Sequence, residues 1–313
     1  MQVSNVMLTI AKISVPDIPL LPGDPQVSPL SGCKLKWKRQ WLWVSPTQSN
    51  PTKTLPALQN EQWFKECLVH SPIRAVYLSP DLDEPTLKAW MNTCECAGKQ
   101  AFLRLPSITL PQKRYRWAWW IKRSLDWVVA SLLLLLLAPI MLLLALLIRL
   151  DSSGPILYRQ WRVGRRGKLF RVLKFRSMID GAEQLHHQVM GSQPGLHKLK
   201  SDPRVTRLGG WMRKYSLDEL PQLINVLRGE MSLVGPRPWA LYDAVRIPRK
   251  ECSRLNALPG ITGAWQISGR SKLFDLETVN YLDLEYLRNW TIQEDLRILL
   301  MTIPRVISGV NAY

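Results

Sequence analysis

Hydrophobic positions divide the chain into three parts. Short apolar runs alternate with amphipathic segments up to about residue 107, an uncharged run fills residues 127–148, and a longer mixed region follows it. The uncharged run has no parallel elsewhere in the sequence, so it separates the two mixed regions. We therefore expect a small module, a membrane segment and a second domain.

The first region has the alternation of a parallel sheet with crossover helices. Segments with period-two or continuous apolar patterns predict strands: WLWVS (41–45), IRAVYLS (73–79) and AFLRLP (101–106). Helical spacing of apolar residues predicts two helices, QWFKECLV (62–69) and TLKAWMNTCECAG (86–98). This order predicts a small α/β module with a β-α-β core over residues 35–112, preceded by an irregular, proline-rich lead-in over residues 1–34. The module has no glycine-rich phosphate loop, which favours a regulatory or packing role.

The run WVVASLLLLLLAPIMLLLALLI (127–148) is long enough to cross a bilayer, since as one helix it would rise about 33 Å. Basic residues flank it on both sides: Lys113, Arg114, Arg116, Lys122 and Arg123 before it, and Arg149, Arg159, Arg162, Arg165, Arg166, Lys168 and Arg171 after it. Positive flanks favour the cytoplasmic side, so a straight span would leave one flank on the disfavoured face.

Two interpretations of this run stay open. Pro139 lacks a backbone N–H and restricts Ala138, so the helix can break there and return both ends to one leaflet. Alternatively the run is an ordinary span with a proline kink. In the re-entrant form, Trp117, Trp119, Trp120 and Trp127 are expected at headgroup depth, which makes the basic and aromatic segment 113–126 interfacial.

Composition points to an anionic partner. The chain carries a formal net charge of +18 and 14 Trp among its 313 residues. Such an excess suits nucleic acid, a phosphorylated substrate or an acidic lipid surface. No zinc-finger or helix-turn-helix pattern occurs, so we expect no nucleic-acid partner. Five cysteines without framework spacing predict reduced thiols rather than disulfides or a zinc site.

Candidate chemistry lies in KYSLDELPQLINVLRGE (214–230). Ser216 and Glu219 have the spacing of a capping box, and Asp218 is the alternative N-cap because it places Pro221 among the positions that lack a hydrogen-bond partner. In both arrangements Asp218 and Glu219 lie at the positive end of a helix, where carboxylates and phosphates are stabilised. Helix capping alone would also explain the pair.

Cations surround this acidic pair in the sequence. They are Lys168, Arg171, Lys174, Arg176, Arg204, Arg207, Arg213 and, within the stiff turn GPRP, Arg237. Repeated cations around two carboxylates are what a diphosphate substrate with a divalent metal requires.

The segment SLDELPQLINVLRGEMSLVGPRP, preceded by KFRSM and the membrane run, resembles the monotopic phosphoglycosyl transferases, the bacterial undecaprenyl-phosphate sugar phosphotransferases. The resemblance extends from about residue 122 to about residue 305 and includes PGITGAWQISGR (259–270) and NYLDLEYLRNWTIQEDLRIL (280–299). It implies a mixed α/β fold in which a re-entrant membrane helix (127–148) precedes a small α+β catalytic domain (149–313). It also implies a location at the bacterial inner membrane, with the catalytic domain on the cytoplasmic face.

The resemblance further implies a reaction and its residues. Asp218 would attack the β-phosphate of a UDP-sugar and release UMP, and Glu219 together with Asp218 would hold Mg²⁺. The implied substrate-binding residues are Lys174, Arg176, Arg213, Arg237 and Asp283. The implied partners are the UDP-sugar donor, the undecaprenyl phosphate acceptor and membrane lipids, and the chain could form a homo-oligomer.

This chain departs from the family pattern at two places. The break in the membrane helix is usually Ser-Pro but here is Ala138–Pro139, so a hydroxyl that could bond to freed backbone is missing. Ala264–Trp265 stands where the family more often has Trp-Ala.

Two further alternatives remain. A membrane-anchored scaffold without activity would keep the same fold, although the intact Asp218–Glu219 pair favours an enzyme. The closing stretch EDLRILLMTIPRVISG (294–309) is apolar enough for a core helix or for a helix on the membrane surface.

Overall fold

The computed structural model describes residues 30, 32–47, 58, 60–105, 116–182, 202–244, 249–269 and 276–308. The chain divides into two compact units, residues 1–104 and residues 105–313. Most of the expected lead-in, and Lys113 and Arg114 of the basic flank, lie outside the described residues.

The first unit contains a four-stranded sheet in the order β1-β2-β3-β4. The strands are β1 (Cys33–Lys38), β2 (Trp41–Pro46), β3 (Ala75–Leu78) and β4 (Gln100–Leu103). The parallel pairing of β2, β3 and β4 is confirmed. Strand β1 was not predicted. It begins at Cys33, within the lead-in (1–34) that was expected to be irregular, and it pairs antiparallel with β2. Arg39 has a φ of 54° in the tight turn between these strands.

Helices α1 (Glu61–His70) and α2 (Glu84–Cys96) confirm the two predicted helices. Asn60 and Asp83 cap them, since each side chain accepts backbone N–H groups of the first turn. The helices bury one face of the sheet with Phe64, Leu68 and Trp90, and the Trp90 indole donates to the Cys33 thiol at 3.3 Å. All five cysteines are free thiols.

The second unit begins with α3 (Arg116–Asp151), one helix of 36 residues that contains Pro139. The helix covers the expected interfacial segment from Arg116 onward as well as residues 127–148. Helical backbone continues through Ala138 and Pro139, so the break expected there is not a non-helical interruption. The helix is long and apolar enough to cross a membrane, and only 11% of its most apolar window is buried.

A small sheet and a strand pair follow α3. Strands β5 (Leu157–Val163), β6 (Leu169–Phe175) and β8 (Trp239–Ala240) form an antiparallel sheet in the order β6-β5-β8. Strands β7 (Ser232–Val234) and β9 (Gly260–Thr262) pair in parallel.

The remaining helices surround these strands. They are α4 (Arg207–Lys214), α5 (Gln222–Leu227), α6 (Leu241–Ala244), α7 (Ala264–Gly269), α8 (Leu276–Arg288) and α9 (Ile292–Ser308), with 3₁₀ turns at Arg165–Gly167, Leu217–Glu219 and Arg249–Asn256. The unit is therefore a mixed α/β domain.

Both halves of α3 pack on this domain. Before Pro139, Ala130 joins a core that includes Phe170, Val226 and Ile298. After Pro139, a second core contains Leu144, Ile148, Phe175 and Met212. Between these contacts the helix exposes Leu135, Leu136 and Leu142, which are 76%, 69% and 72% accessible.

Helix α9 answers the question of the closing stretch. Ile298 is fully buried in the domain core, whereas Leu296, Leu300, Ile303 and Ile307 are 55–71% exposed along the opposite side. The helix is thus amphipathic, packed by one face with an apolar stripe on the other, and is not a fully buried core helix.

Candidate active site

The acidic pair lies in a tight turn rather than at a capped helix end. Ser216 is in the left-handed region (φ 54°, ψ 23°), makes no side-chain cap, and precedes the 3₁₀ turn Leu217–Glu219. Helix α5 starts only at Gln222, with Pro221 as its N-cap residue. Both expected caps, Ser216 and Asp218, are therefore wrong. An N-cap needs extended backbone to aim its oxygen at the first turn, and the left-handed Ser216 does not provide it.

Apolar anchors determine where the carboxylates of this turn point. Leu217 and Leu220 pack against the core cluster that Leu144 and Ile148 of α3 form with Phe175 of β6 and Met212 of α4. Residues three apart in a helical turn share a side, so Asp218 is turned away from this contact. Asp218 is only 8% exposed, which is unusual for an acidic residue without a binding or structural role.

Lys174 connects β6 to the acidic turn. Its Nζ lies 2.8 Å from Oε1 of Glu219, and the two side chains are 21% and 16% exposed. Lys174 is the penultimate residue of β6, whose pairing with β5 fixes its position. The structure thus brings three of the predicted site residues, Lys174, Asp218 and Glu219, to one small region.

Two of the other predicted cations have structural partners. Arg213 donates from Nε to Oγ of Ser177 at 2.8 Å, and its carbonyl accepts the N–H of Ser216 at 3.1 Å, so it braces the turn that leads to Asp218. Arg176 is 6% exposed and donates to the carbonyls of Ile148 and Ser152 at 3.3 and 2.6 Å. These bonds help to satisfy carbonyls at the end of α3, where Ile148 also accepts the backbone N–H of Ser152 at 3.3 Å.

Arg237 and Asp283 belong to a second set of contacts. The turn that carries Arg237 is held by close backbone approach, since a Cβ on Gly235 would lie 2.5 Å from the carbonyl of Leu258. Gly235 also donates its N–H to Thr262 at 2.9 Å. The Arg237 guanidinium lies 5.1 Å from the ring centroid of Trp265. Glycine is needed here because a side chain would separate β7 from β9.

A buried ion pair stabilises this second set. Arg254 pairs with Asp283, and both side chains are 0% exposed. Arg254 also donates to the carbonyl of Arg237 at 3.1 Å and to Oδ1 of Asn280 at 3.0 Å. Burial raises the pKa of Asp283 to about 6, against the opposing effect of the Arg254 charge and of a hydrogen bond from the backbone of Arg237. Asp283 thus lies beneath the Arg237 turn.

Sequence reasoning missed the residues that assemble this site. Arg254 lies in RKECSRLN, a segment without an apolar period, so nothing marked it as buried. Lys122 was noted only as a flank charge, yet its Nζ bonds Oδ2 of Asp295 at 2.5 Å and the carbonyl of Val234 at 3.1 Å. Asp126 accepts Oγ–H of Ser232 at 2.8 Å. An acidic residue just before an uncharged run is the one signal that could have indicated such a contact.

The acidic pair suits magnesium better than a cage-forming metal. No cluster of three metal-ligating side chains occurs within the described ranges. Mg²⁺ commonly uses one or two carboxylates and takes its other ligands from substrate phosphates and water. Asp218 and Glu219 are adjacent carboxylates of this kind, so the residues present fit the expected ion.

Comparison with known proteins identifies the family. The family profile described as "Bacterial sugar transferase" matches residues 117–309, which include α3, the acidic turn and the Arg237–Asp283 set. The chain belongs to the bacterial sugar transferase family. The match covers more than half of the chain and leaves the N-terminal unit outside it.

Individual relatives in this family are similar over different lengths. "Galactosyl transferase CpsE" of Streptococcus agalactiae is 41% identical over 220 residues, 68% of this chain and 48% of that protein. "Undecaprenyl-phosphate glucose phosphotransferase" of Komagataeibacter xylinus is 45% identical over 222 residues, 66% and 40% respectively. "UDP-galactose-lipid carrier transferase" of Erwinia amylovora is 36% identical over 304 residues, 93% and 62%. The chain thus spans about half the length of these curated relatives.

Proposed function

We propose that this bacterial sugar transferase moves a sugar 1-phosphate from a UDP-sugar to undecaprenyl phosphate and releases UMP, the first step in building an exopolysaccharide or related glycoconjugate. The observation that carries the proposal is Asp218, a buried carboxylate beside the Lys174–Glu219 pair, on a turn whose leucines pack into the core cluster that contains the end of α3. Relatives whose names include undecaprenyl-phosphate glucose and galactose phosphotransferases support the reaction class.

In the first displacement, Asp218 is the nucleophile. An oxygen of its carboxylate attacks the β-phosphorus of the donor, a P–O bond to the UMP group breaks, and UMP leaves. The product is a sugar phosphate bound to Asp218 as an acyl phosphate. A covalent intermediate of this kind divides one difficult transfer into two easier steps. Rigid packing of Leu217 and Leu220 holds the nucleophile in position, which favours the attack.

In the second displacement, a phosphate oxygen of the lipid attacks the same phosphorus. The bond between Asp218 and phosphorus breaks, the carboxylate is regenerated, and the product is a polyprenyl diphosphate sugar. This step requires the site to lie close to the headgroup plane. The core cluster that the leucines of the acidic turn share with Leu144 and Ile148 of α3 supports that location.

Nearby cations would bind the charged substrates. Lys174 neutralises Glu219 and can also contact a donor phosphate, while Arg213 keeps the turn in place. Asp218 and Glu219 would hold Mg²⁺, which when bound neutralises diphosphate charge and stabilises the departing UMP. Arg237, held over Trp265 and supported by Arg254 and Asp283, would contact the other end of an extended donor. Arg176 is assigned to the end of α3 and affects the site indirectly.

Contacts at both ends of α3 favour re-entry over a simple span. Near its start, Lys122 bonds Asp295 and Asp126 bonds Ser232; at its end, Ile148 accepts a hydrogen bond from Arg176. All these partners belong to one compact domain. A helix spanning the bilayer would have to pull part of that polar domain through hydrocarbon, where unpaired polar groups are costly.

The same arrangement favours membrane attachment on the cytoplasmic face. The exposed stripe of α9 suits a helix that lies in the interface, and Lys122 ties α9 to the start of α3 through Asp295. Trp117 and Trp120, 61% and 60% exposed, lie on that first part of α3 and suit the headgroup layer. The basic flanks of α3 support a cytoplasmic location for both of its ends.

The nucleophile is tested with purified protein, magnesium, undecaprenyl phosphate and a panel of UDP-sugars that begins with UDP-glucose and UDP-galactose. We expect Asp218→Asn to release no UMP and to give no sugar-phosphate adduct on the 217–219 peptide in mass spectrometry. The control Glu285→Gln changes an exposed carboxyl on α8 and should leave both readouts intact. Near-normal UMP release by Asp218→Asn would refute the assignment. Wild-type protein inactive with every donor would favour the scaffold alternative.

Topology is tested with cysteines introduced at either end of α3 in a Cys96→Ser background, Trp117→Cys and Leu150→Cys, both at exposed positions. A membrane-impermeant thiol reagent added outside intact cells should label neither variant, while lysed cells should allow labelling of both. Labelling of only one variant in intact cells would show a spanning helix.

A further inference from the structure

The N-terminal sheet has one face covered by helices and one face that the module's own helices leave open. Cross-strand partners share a face, so the pairs Lys38–Trp41, Lys36–Trp43 and Lys34–Ser45 place three lysines of β1 beside two tryptophans of β2. The parallel pairs extend the same face to Tyr77 on β3 and Phe102 on β4. Helices α1 and α2 cover the opposite face, where Leu42, Val44 and Val76 are buried.

Charge is segregated between these two faces. Lys34, Lys36 and Lys38 are all exposed, and Arg74 and Arg104 lie at the ends of β3 and β4. None of the strand residues that point to the open face is acidic. The acidic residues of the described part of this unit lie on the helices or just before α2: Glu61, Glu66, Asp81, Asp83, Glu84 and Glu95. The open face therefore presents a positive field to an anionic partner.

The aromatic residues on this face are not arranged as a base-stacking platform. Tyr77 stacks between Trp43 and Phe102, with ring centroids 4.9 and 5.2 Å apart and interplanar angles of 19° and 18°. The Arg104 guanidinium lies 5.1 Å from the Trp43 ring centroid. Bases of single-stranded nucleic acid need free ring faces, whereas these rings stack on one another across the strands.

A compact anion is also a poor fit. A cleft of about 510 Å³ opens beside Trp41, Tyr77 and Phe102 at the amino ends of β3 and β4. Its Lys99 already donates to the carbonyls of Val69 and Ser71 at 3.3 and 3.0 Å, at the carboxyl end of α1. Helix carboxyl ends carry partial negative charge, which disfavours a buried phosphate there. The β1 lysines lie three strand spacings, roughly 14 Å, away from β4, so the cations suit a broad anionic surface.

We propose that the open face of the N-terminal sheet docks onto an anionic lipid surface, with the β1 lysines at the headgroups and Trp41 at the interface. Trp41 is 46% exposed, and tryptophan is favoured at headgroup depth. Helix α3 begins at Arg116, twelve residues after Arg104. Twelve residues of any chain span at most about 43 Å. A bilayer that holds α3 is therefore always within reach of the module, which raises the effective concentration of lipid.

The test is hydrogen exchange of the full chain in nanodiscs, read by mass spectrometry. Exchange in the β1–β2 peptide (33–46) is compared between phosphatidylcholine discs and discs that also contain about 30% phosphatidylglycerol. We expect slower exchange only in the anionic discs, and recovery of fast exchange in about 0.5 M NaCl, because salt screens exposed charges. Peptides of α1 and α2 should exchange equally in all discs and report that the module stays folded.

Matched variants separate this contact from a general charge effect. Lys34→Gln/Lys36→Gln removes two cations from the open face. Each of the two substitutions should lower the affinity for the anionic discs about fivefold. Lys65→Gln/Lys88→Gln removes two cations from the helix side and should retain the protection.

Several outcomes would overturn the proposal. Equal exchange in neutral and anionic discs would exclude anionic-lipid docking. Protection that is already complete in detergent would show that protein covers the face, either another part of this chain or a second copy. Protection that appears in detergent with a single-stranded oligonucleotide, and not with anionic lipid, would identify a nucleic-acid surface. None of these readouts depends on sugar-phosphate transfer, so the failure of one proposal leaves the other intact.

Discussion

Replacing Arg254 with methionine should destabilise the fold, because it breaks the buried Arg254–Asp283 ion pair beneath the Arg237 turn. Arg254 and Asp283 are both inaccessible to solvent, and Arg254 also lies 4.4 Å from the ring centroid of Trp239. Arg254→Met keeps much of the packing volume but leaves the Asp283 carboxylate buried without its cation. Breaking a buried pair in this way costs about 3–5 kcal/mol. For a domain of this size that loss lowers Tm by roughly 6–20 °C.

The loss should depend on pH. Burial already raises the pKa of Asp283 to about 6 with Arg254 present, and removal of the cation raises it further. A raised carboxyl pKa means that the folded state binds more protons than the unfolded state, so stability is greatest below the unfolded value of about 4 and falls as pH rises through the folded value. The variant should therefore lose much more stability at pH 8 than at pH 5, where its carboxyl is protonated.

Thermal unfolding in detergent micelles, followed by tryptophan fluorescence at both pH values, measures these differences. The double variant Arg254→Met/Asp283→Leu removes both charges and should recover most of the lost stability, since apolar replacement of a buried pair is often tolerated. A single variant that unfolds within about 2 °C of wild type at pH 8, or equally at both pH values, would contradict the reasoning. So would a double variant that is no more stable than the single one.

The other predictions concern the acidic turn, the strand pair and the metal. Lys174→Met should lower kcat about 100-fold, because it removes a fixed cation beside Glu219. Lys174→Arg keeps the positive charge and should retain part of the activity. If kcat of the methionine variant stays within about twofold of wild type, Lys174 has only a structural role. Gly260→Ala should lower Tm by several degrees in the same unfolding assay, because the alanine Cβ would collide with the backbone N of Gly235 and separate β7 from β9. An unchanged Tm would show that the two strands can move apart freely. Chelation of divalent metal should stop UMP release, and added Mg²⁺ should restore it; full activity in excess chelator would exclude the expected magnesium role.

Patterns that are local in sequence determined much of this protein. The length and apolarity of residues 127–148 predicted the long exposed helix, because crossing hydrocarbon requires an uncharged stretch of that size. The helical and strand periods of the first unit predicted α1, α2 and the parallel strands β2–β4. The acidic pair and its flanking motifs led to the family that the comparison confirms. Strand β1 was missed although its sequence, CKLKWK, alternates buried or half-buried residues with exposed lysines. This is the period-two pattern of a half-buried strand.

Only the tertiary structure decided how distant residues meet. Arg254 reaches Asp283 and the Arg237 carbonyl, and Lys122 reaches Asp295 across more than 170 residues. The capping pattern at Ser216 was overridden because Leu217 and Leu220 pack into a core cluster built from α3, β6 and α4, and because Pro221 delays the start of α5. Periodicity reports which face of an element is buried, but not which partner buries it; ion pairs and turn conformations depend on that partner, so they form only when the chain has folded.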